Sequence, residues 1–125
     1  MGIFDGLMGH ASEVNPAELQ REFGVLLAPG ESIEKAYRLI RDMLLFTNKR
    51  LILVDRQGMT GKKVEYHSIP YRAITHFSIE TAGHLDLDAD LRIWVTGTPE
   101  PFEQQFNRSL NIYELQSVLA AYVLK

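Results

Sequence analysis

The sequence predicts a mainly β domain: an open barrel of seven short strands, capped by a C-terminal amphipathic helix and preceded by a short helical leader. Three observations carry that prediction. Between Ser32 and about Phe106, β-branched and aromatic residues fall in short runs separated by turn signals. Near the C-terminus, Ile112, Leu115, Leu119 and Tyr122 follow the i, i+3, i+7 rhythm of one apolar helical stripe. The length, 125 residues, suits one compact domain with a single core. The expected division is a leader over 1–30, strands over 31–107 and a capping helix over 109–125.

The leader opens with Ile3, Phe4, Leu7 and Met8 at helical spacing. Asn15-Pro16-Ala17-Glu18 then announces a helix, with Asn15 as cap, Pro16 in the first turn and Glu18 completing a capping box. That helix buries Leu19 and Phe23 and stops at Gly24; Pro29-Gly30 makes a turn. Strands are expected at about 32–40, 43–47, 50–55, 62–68, 72–80, 84–96 and 101–107. Asn48-Lys49 joins the second to the third, since Asn tolerates the positive φ of a tight hairpin. Gly58 and Gly61 loosen the next loop, Pro70 ends the fourth strand, Gly83 marks a turn, and Pro99 and Pro101 bracket the last connection. The sixth segment is long enough to need a bulge or bend near Asp88. Asn111 and Glu114 form the capping box of the final helix.

Composition excludes several classes. There is no cysteine, so disulfide scaffolds, thiolate nucleophiles and Cys-based zinc sites are ruled out. A net charge of −3 argues against a nucleic-acid partner. No run approaches a membrane span, and Met1 to His10 lacks the basic start of a secretory signal. A cytoplasmic location is expected, with a peripheral place at the inner membrane as the variant.

Leu44-Leu45-Phe46-Thr47-Asn48-Lys49-Arg50-Leu51-Ile52-Leu53-Val54-Asp55 resembles the strand–turn–strand of the bacterial pleckstrin-homology (PH) domains. Gly61 to Tyr71 and Leu91-Arg92-Ile93-Trp94-Val95 are similar to the later strands of that family. The resemblance implies a PH-like roll of two packed sheets with a C-terminal helix. It also implies a binding module rather than an enzyme, without cofactor, and a tendency to assemble as a ring-like homo-oligomer. Finally, it implies that the loops joining strands 1–2, 3–4 and 6–7 meet at the open end of the barrel.

Two candidate surfaces follow. Arg41, Arg56, Lys62 and Lys63, with Arg38 alongside, are expected together at that open end, where guanidinium and ammonium groups suit an anionic headgroup or another small anion. The turn carrying Arg41 is short and holds its own acid, Asp42. Phe4 and Met8 of the leader, with Phe102 and Phe106 on one face of the last strand, are expected to meet another copy, because strand edges are templates for pairing. Trp94 alternates in phase with Arg92, which leaves two readings open: Trp94 on the more polar face as a binding anchor, or packed under a neighbouring loop or helix.

Other patterns have plainer explanations. Asp86, Asp88 and Asp90 fall at every second residue, but Leu91 and Gly97 stand where a calcium loop needs glycine and glutamate. The alternation predicts a strand with leucines inward and aspartates outward. His67 and His76 lie on consecutive strands around Pro70 and could sit across from one another, though surface or half-buried strand positions are the plainer reading. A zinc site would need a third ligand such as His84 or Asp86, and no ligand spacing supplies one. Ser12, Ser32, Ser68, Ser78, Ser109 and Ser117 sit in no nucleophile elbow, and no phosphate-binding glycine loop occurs.

Overall fold

The computed structural model describes residues 14–39, 42–59, 62–81, 88–107 and 112–124. A four-stranded antiparallel sheet, ordered β1-β2-β3-β4, faces a three-stranded antiparallel sheet, ordered β5-β6-β7. The strands are β1 (Ile33–Arg38), β2 (Met43–Thr47), β3 (Arg50–Gln57), β4 (Lys63–Pro70), β5 (Ile74–Thr81), β6 (Asp88–Val95) and β7 (Phe102–Asn107). Helix α1 (Pro16–Phe23) precedes them and α2 (Ile112–Val123) follows. The expected order of elements is therefore the observed one. Asn111 and residues 84–87 lie outside the described residues, as does the expected capping box on Asn111.

The barrel core collects the inward side of every strand. Tyr37, Leu44, Phe46, Leu51, Leu53 and Ile69 from the first sheet meet Ile74, Leu91, Ile93 and Phe106 from the second. Helix α2 adds Leu115 and Leu119, both wholly buried, and Ile112 and Tyr122 pack beside them as the apolar stripe requires. One flank of the roll is closed by this helix. Tyr37 donates to Glu114 at 2.8 Å, Tyr122 donates to Glu34, and the Tyr122 ring lies between Phe46 (5.3 Å) and Tyr71 (4.9 Å). Burial, together with the nearby Tyr122 and Glu34, pushes the Tyr71 phenol far above its ordinary value; its hydroxyl stays a donor, to the Thr47 carbonyl at 2.6 Å. Between β4 and β7, the His67 ring meets the Phe102 ring at 4.5 Å.

The outward side of the four-stranded sheet is apolar as well. Ala36, Met43, Leu45, Ile52 and Val54 form a second core, covered by Leu19 and Phe23 of α1. All five residues of β2 are consequently buried. Strands buried on both faces read as continuous apolar runs rather than alternations, which explains Leu44-Leu45-Phe46 and Leu51-Ile52-Leu53-Val54. Helix α1 starts as its sequence dictates: the Asn15 side chain accepts from the Ala17 amide at 2.9 Å, and Pro16 fills the first position. Gln20 accepts from the Ile33 amide, the Val14 amide bonds to Ala36, and the Phe23 ring meets Tyr66 edge-on at 6.1 Å.

One ionic knot ties this cover to the barrel. The Glu31 side chain, 1% exposed, accepts two hydrogen bonds from the Arg50 guanidinium, at 2.8 and 3.0 Å. It also accepts from the Thr47 hydroxyl at 2.6 Å and the Ala28 amide at 2.8 Å. Arg50 reaches on to the Leu26 carbonyl and the Ser68 hydroxyl. Burial alone would raise the Glu31 carboxyl; these donors and the Arg50 charge overcome it and hold the group at about 2, against an ordinary 4.5.

Three expectations are corrected. No described residue other than glycine has a positive φ, so Asn48 does not use that freedom in the β2–β3 turn. Instead it holds the leader, accepting from the Ser32 amide and donating to the Gly30 carbonyl, while the Thr47 hydroxyl accepts from the Lys49 and Arg50 amides. His67 and His76 do not face one another, because the chain changes sheets across Pro70 and the turn Tyr71–Ala73; His67 pairs with Leu53 and His76 with Trp94. Within the described part of β6, no irregularity occurs near Asp88; the register shift lies between Ile74 and His76 on the partner strand.

Two outcomes follow. Phe23→Ala uncovers the second core and lowers the urea-unfolding free energy by about 3 kcal/mol. The depressed Glu31 carboxyl contributes stability above pH 4.5 that is lost as the pH falls toward 2, on the order of 3 kcal/mol. Urea titrations at stepped pH will show a steep decline over that window in the wild type and a shallower one in Glu31→Gln.

Candidate functional site

The two sheets differ in what covers their outer faces. Over the four-stranded sheet lies α1. Among the described residues, no element packs over the outer face of the three-stranded sheet, which presents His76 and Glu80 from β5, Asp90, Arg92 and Trp94 from β6, and Glu103 and Gln105 from β7. Alternation along β6 produces this: Ala89, Leu91 and Ile93 go to the core, so Asp90, Arg92 and Trp94 face out. The outward Asp90 agrees with the sequence pattern, and of the two orientations left open for Trp94 the structure has the one facing out with Arg92. Asp86 and His84 lie outside the described residues, and Asp88 is described in its backbone alone.

Registry brings the outward residues into rows. Trp94 is directly opposite His76, and their rings stack at 4.3 Å with planes 16° apart. Thr75 donates to the Trp94 carbonyl and holds that end of β5. Arg92 sits opposite Glu103 and bonds it at 2.6 Å, and it bonds Glu80 on the other side at 3.0 Å. Those hydrogen bonds, first to Glu80 and then to Glu103, raise the guanidinium above its ordinary value. Glu80 and Glu103 flank the one cation, and Asp90, two residues along β6 on the same face, leaves this surface net acidic beside an aromatic platform.

The other candidate surface lies at the end of the four-stranded sheet. Arg38 ends β1, Arg56 lies near the end of β3, and Lys62 and Lys63 begin the return along β4. Register puts these ends side by side, with Arg38 opposite Met43, Met43 opposite Val54, and Gln57 opposite Lys63. Arg38, Lys62 and Lys63 are exposed; Arg56 is half-buried, with its guanidinium 3.7 Å from Glu22 and its amide bonded to Asp42. Arg41 lies outside the described residues. The β6–β7 connection begins elsewhere: the Thr96 amide bonds to Ala73, beside the turn that carries Tyr71.

The copy-to-copy contacts expected of the last strand are corrected. Phe106 is wholly buried in the barrel core, and Phe102 is half-buried against that core and His67. Both face inward because β7 alternates in phase with the core side of β6. Phe4 and Met8 lie outside the described residues. Sequence reasoning missed the joint role of His76 and the acids flanking Arg92. The signal was present only as alternation, without the register that sets β5 against β6.

A family model described as "Bacterial PH domain" matches residues 2–123. The Bacillus subtilis protein YjqA is 52% identical over 122 residues, spanning 97% of this chain and 98% of its own length. A pleckstrin homology domain from Shewanella amazonensis superposes with a TM-score of 0.85 at 48% identity, covering 99% of this chain and 100% of that one. A DUF1696 family protein with a pleckstrin-homology domain, from Shewanella loihica, gives 0.77 at 48% identity over 90% and 96%.

The chain's lone tryptophan makes the platform measurable. His76→Ala removes the ring stacked on Trp94, so acrylamide quenching of its emission rises and the emission shifts to the red, with thermal unfolding little changed. Unaltered quenching would mean that the histidine does not shield the indole.

Proposed function

The chain belongs to the bacterial PH domain family, and on that footing we propose that it is a non-catalytic interaction module that self-associates. One observation carries the reading: charge is segregated between two surfaces of the same molecule. The outer face of the three-stranded sheet is acidic around Glu80, Asp90 and Glu103 and has Trp94 as an aromatic anchor. The end of the four-stranded sheet carries Arg38, Arg56, Lys62 and Lys63. Surfaces of opposite sign that do not face each other within one chain favour a head-to-tail contact between copies. Such a heterologous contact closes into a ring when the rotation between copies allows it.

The relatives support a PH module. In this reading a protein partner other than a second copy engages the acidic face through basic residues, and the cellular setting is cytoplasmic.

Light scattering on a sizing column tests the proposal. The wild type is expected as a discrete multiple of 14.2 kDa that survives dilution at low salt and loosens as salt rises. Glu80→Lys with Glu103→Lys shifts it to the monomer while circular dichroism stays unchanged. A wild-type monomer at micromolar concentration rejects the reading.

A further inference from the structure

Register fixes the outer face of the three-stranded sheet as three rows. At one end His76 lies opposite Trp94. Two residues along come Ser78, Arg92 and Glu103, and two further come Glu80, Asp90 and Gln105. Four residues separate the first row from the third on β5 and on β6 alike, about 14 Å of antiparallel strand.

The third row is unfavourable for the chain by itself. Glu80 and Asp90 stand directly opposite each other on one face, and like charges so placed destabilise a ladder. Arg92 answers Glu80 and Glu103, at 3.0 and 2.6 Å. Among the described residues, half-buried Asp90 has no hydrogen bond or ion pair, and its neighbour across β7 is the neutral Gln105. These acids do not converge as a metal site either, since no group of three His, Asp or Glu among the described residues could hold an ion. Their spread suits a broader, organic cation.

The first row suits the same chemistry. The exposed His76 ring lies nearly flat on Trp94, 4.3 Å away, so the two rings form one aromatic platform. A planar guanidinium stacks on such rings, and its fork of donors bonds two carboxylates at once; a lysine ammonium offers neither the plane nor the fork.

We infer that this face docks an extended, arginine-bearing segment of a partner protein. One guanidinium lies on the His76–Trp94 pair, and a second, four residues along the segment, lies between Glu80 and Asp90. An extended chain presents every second side chain on one side, so residues four apart reach the two rows. The residue midway between them meets the Arg92–Glu103 pair. The inference rests on this face being the interaction surface, and adds the chemistry and spacing of what it accepts; pairing of copies by charge requires neither.

The test is a titration of the full chain followed by the emission of Trp94, its lone tryptophan, with light scattering in parallel. Three peptides are added up to millimolar concentration at low salt: Ser-Arg-Ser-Thr-Ser-Arg-Ser, the same composition with its arginines three apart, and the first peptide with lysines for arginines. The first should bind and shift the emission. The second, which turns one arginine to the far side, and the third should each bind about three-fold more weakly. Asp90→Asn should weaken binding of the first peptide about three-fold while thermal unfolding holds or rises, because a like-charge contact is gone. No change of emission, equal binding of the three peptides, or undiminished binding by Asp90→Asn overturns the inference. A monomeric wild type that binds the first peptide supports it and rejects self-association. An oligomer indifferent to all three rejects it and leaves self-association standing.

Discussion

A buried carboxylate is tolerable only when its charge and lone pairs are met, and in this protein Glu31 sets that condition for everything around it. Its four hydrogen bonds come from Arg50, Thr47 and the Ala28 amide, so the segment after α1, the start of the first sheet and the β2–β3 turn must all be in place together. Arg50 adds the Leu26 carbonyl and Ser68, extending the same requirement to the leader and to β4. The Thr47-Asn48-Lys49-Arg50 run that carries the family likeness thus has a mechanical explanation. Thr47 closes the turn, Asn48 grips the leader backbone, and Arg50 neutralises Glu31. None of the three needs an external ligand to account for its presence.

From that anchor the asymmetry of the two sheets follows. Held at Glu31, the leader lies across the four-stranded sheet and makes it apolar on both sides. The three-stranded sheet has no such cover among the described residues, and its outer face carries charges and one tryptophan instead. Exposed charge therefore collects on the face and the strand ends that the fold leaves uncovered.

Much of the architecture was legible because strands and amphipathic helices write their periods into the sequence. The β6 alternation of Leu91 and Ile93 with Arg92 and Trp94 gave two sets on opposite faces, and both α1 and the stripe of α2 were located by apolar spacing and, for α1, capping chemistry. What alternation cannot give is which side a set faces or which strand lies opposite. Phe102 and Phe106 were rightly grouped on one face, yet that face is the core side. His67 and His76 were placed together by chain order, but the sheet switch at Tyr71–Ala73 separated them, and His76 found Trp94 instead. The unbroken apolar runs of β2 and β3 were visible in the sequence, and they recorded a second cover over the sheet. Arg41, Phe4 and Met8 fall outside the described residues, so the structure does not bear on them.

The placement of α1 also redraws the boundary of the folding unit. A cut made where the strands start, at about Glu31, looks from sequence like the removal of a preamble. In fact it would strip Leu19 and Phe23 from a continuous apolar strip and leave Met43, Leu45, Ile52 and Val54 facing water on a sheet that has no polar alternative to offer. The smallest autonomous version of this fold therefore includes the segment from Val14 onward, and a trimmed barrel would be a sticky fragment rather than a minimal domain.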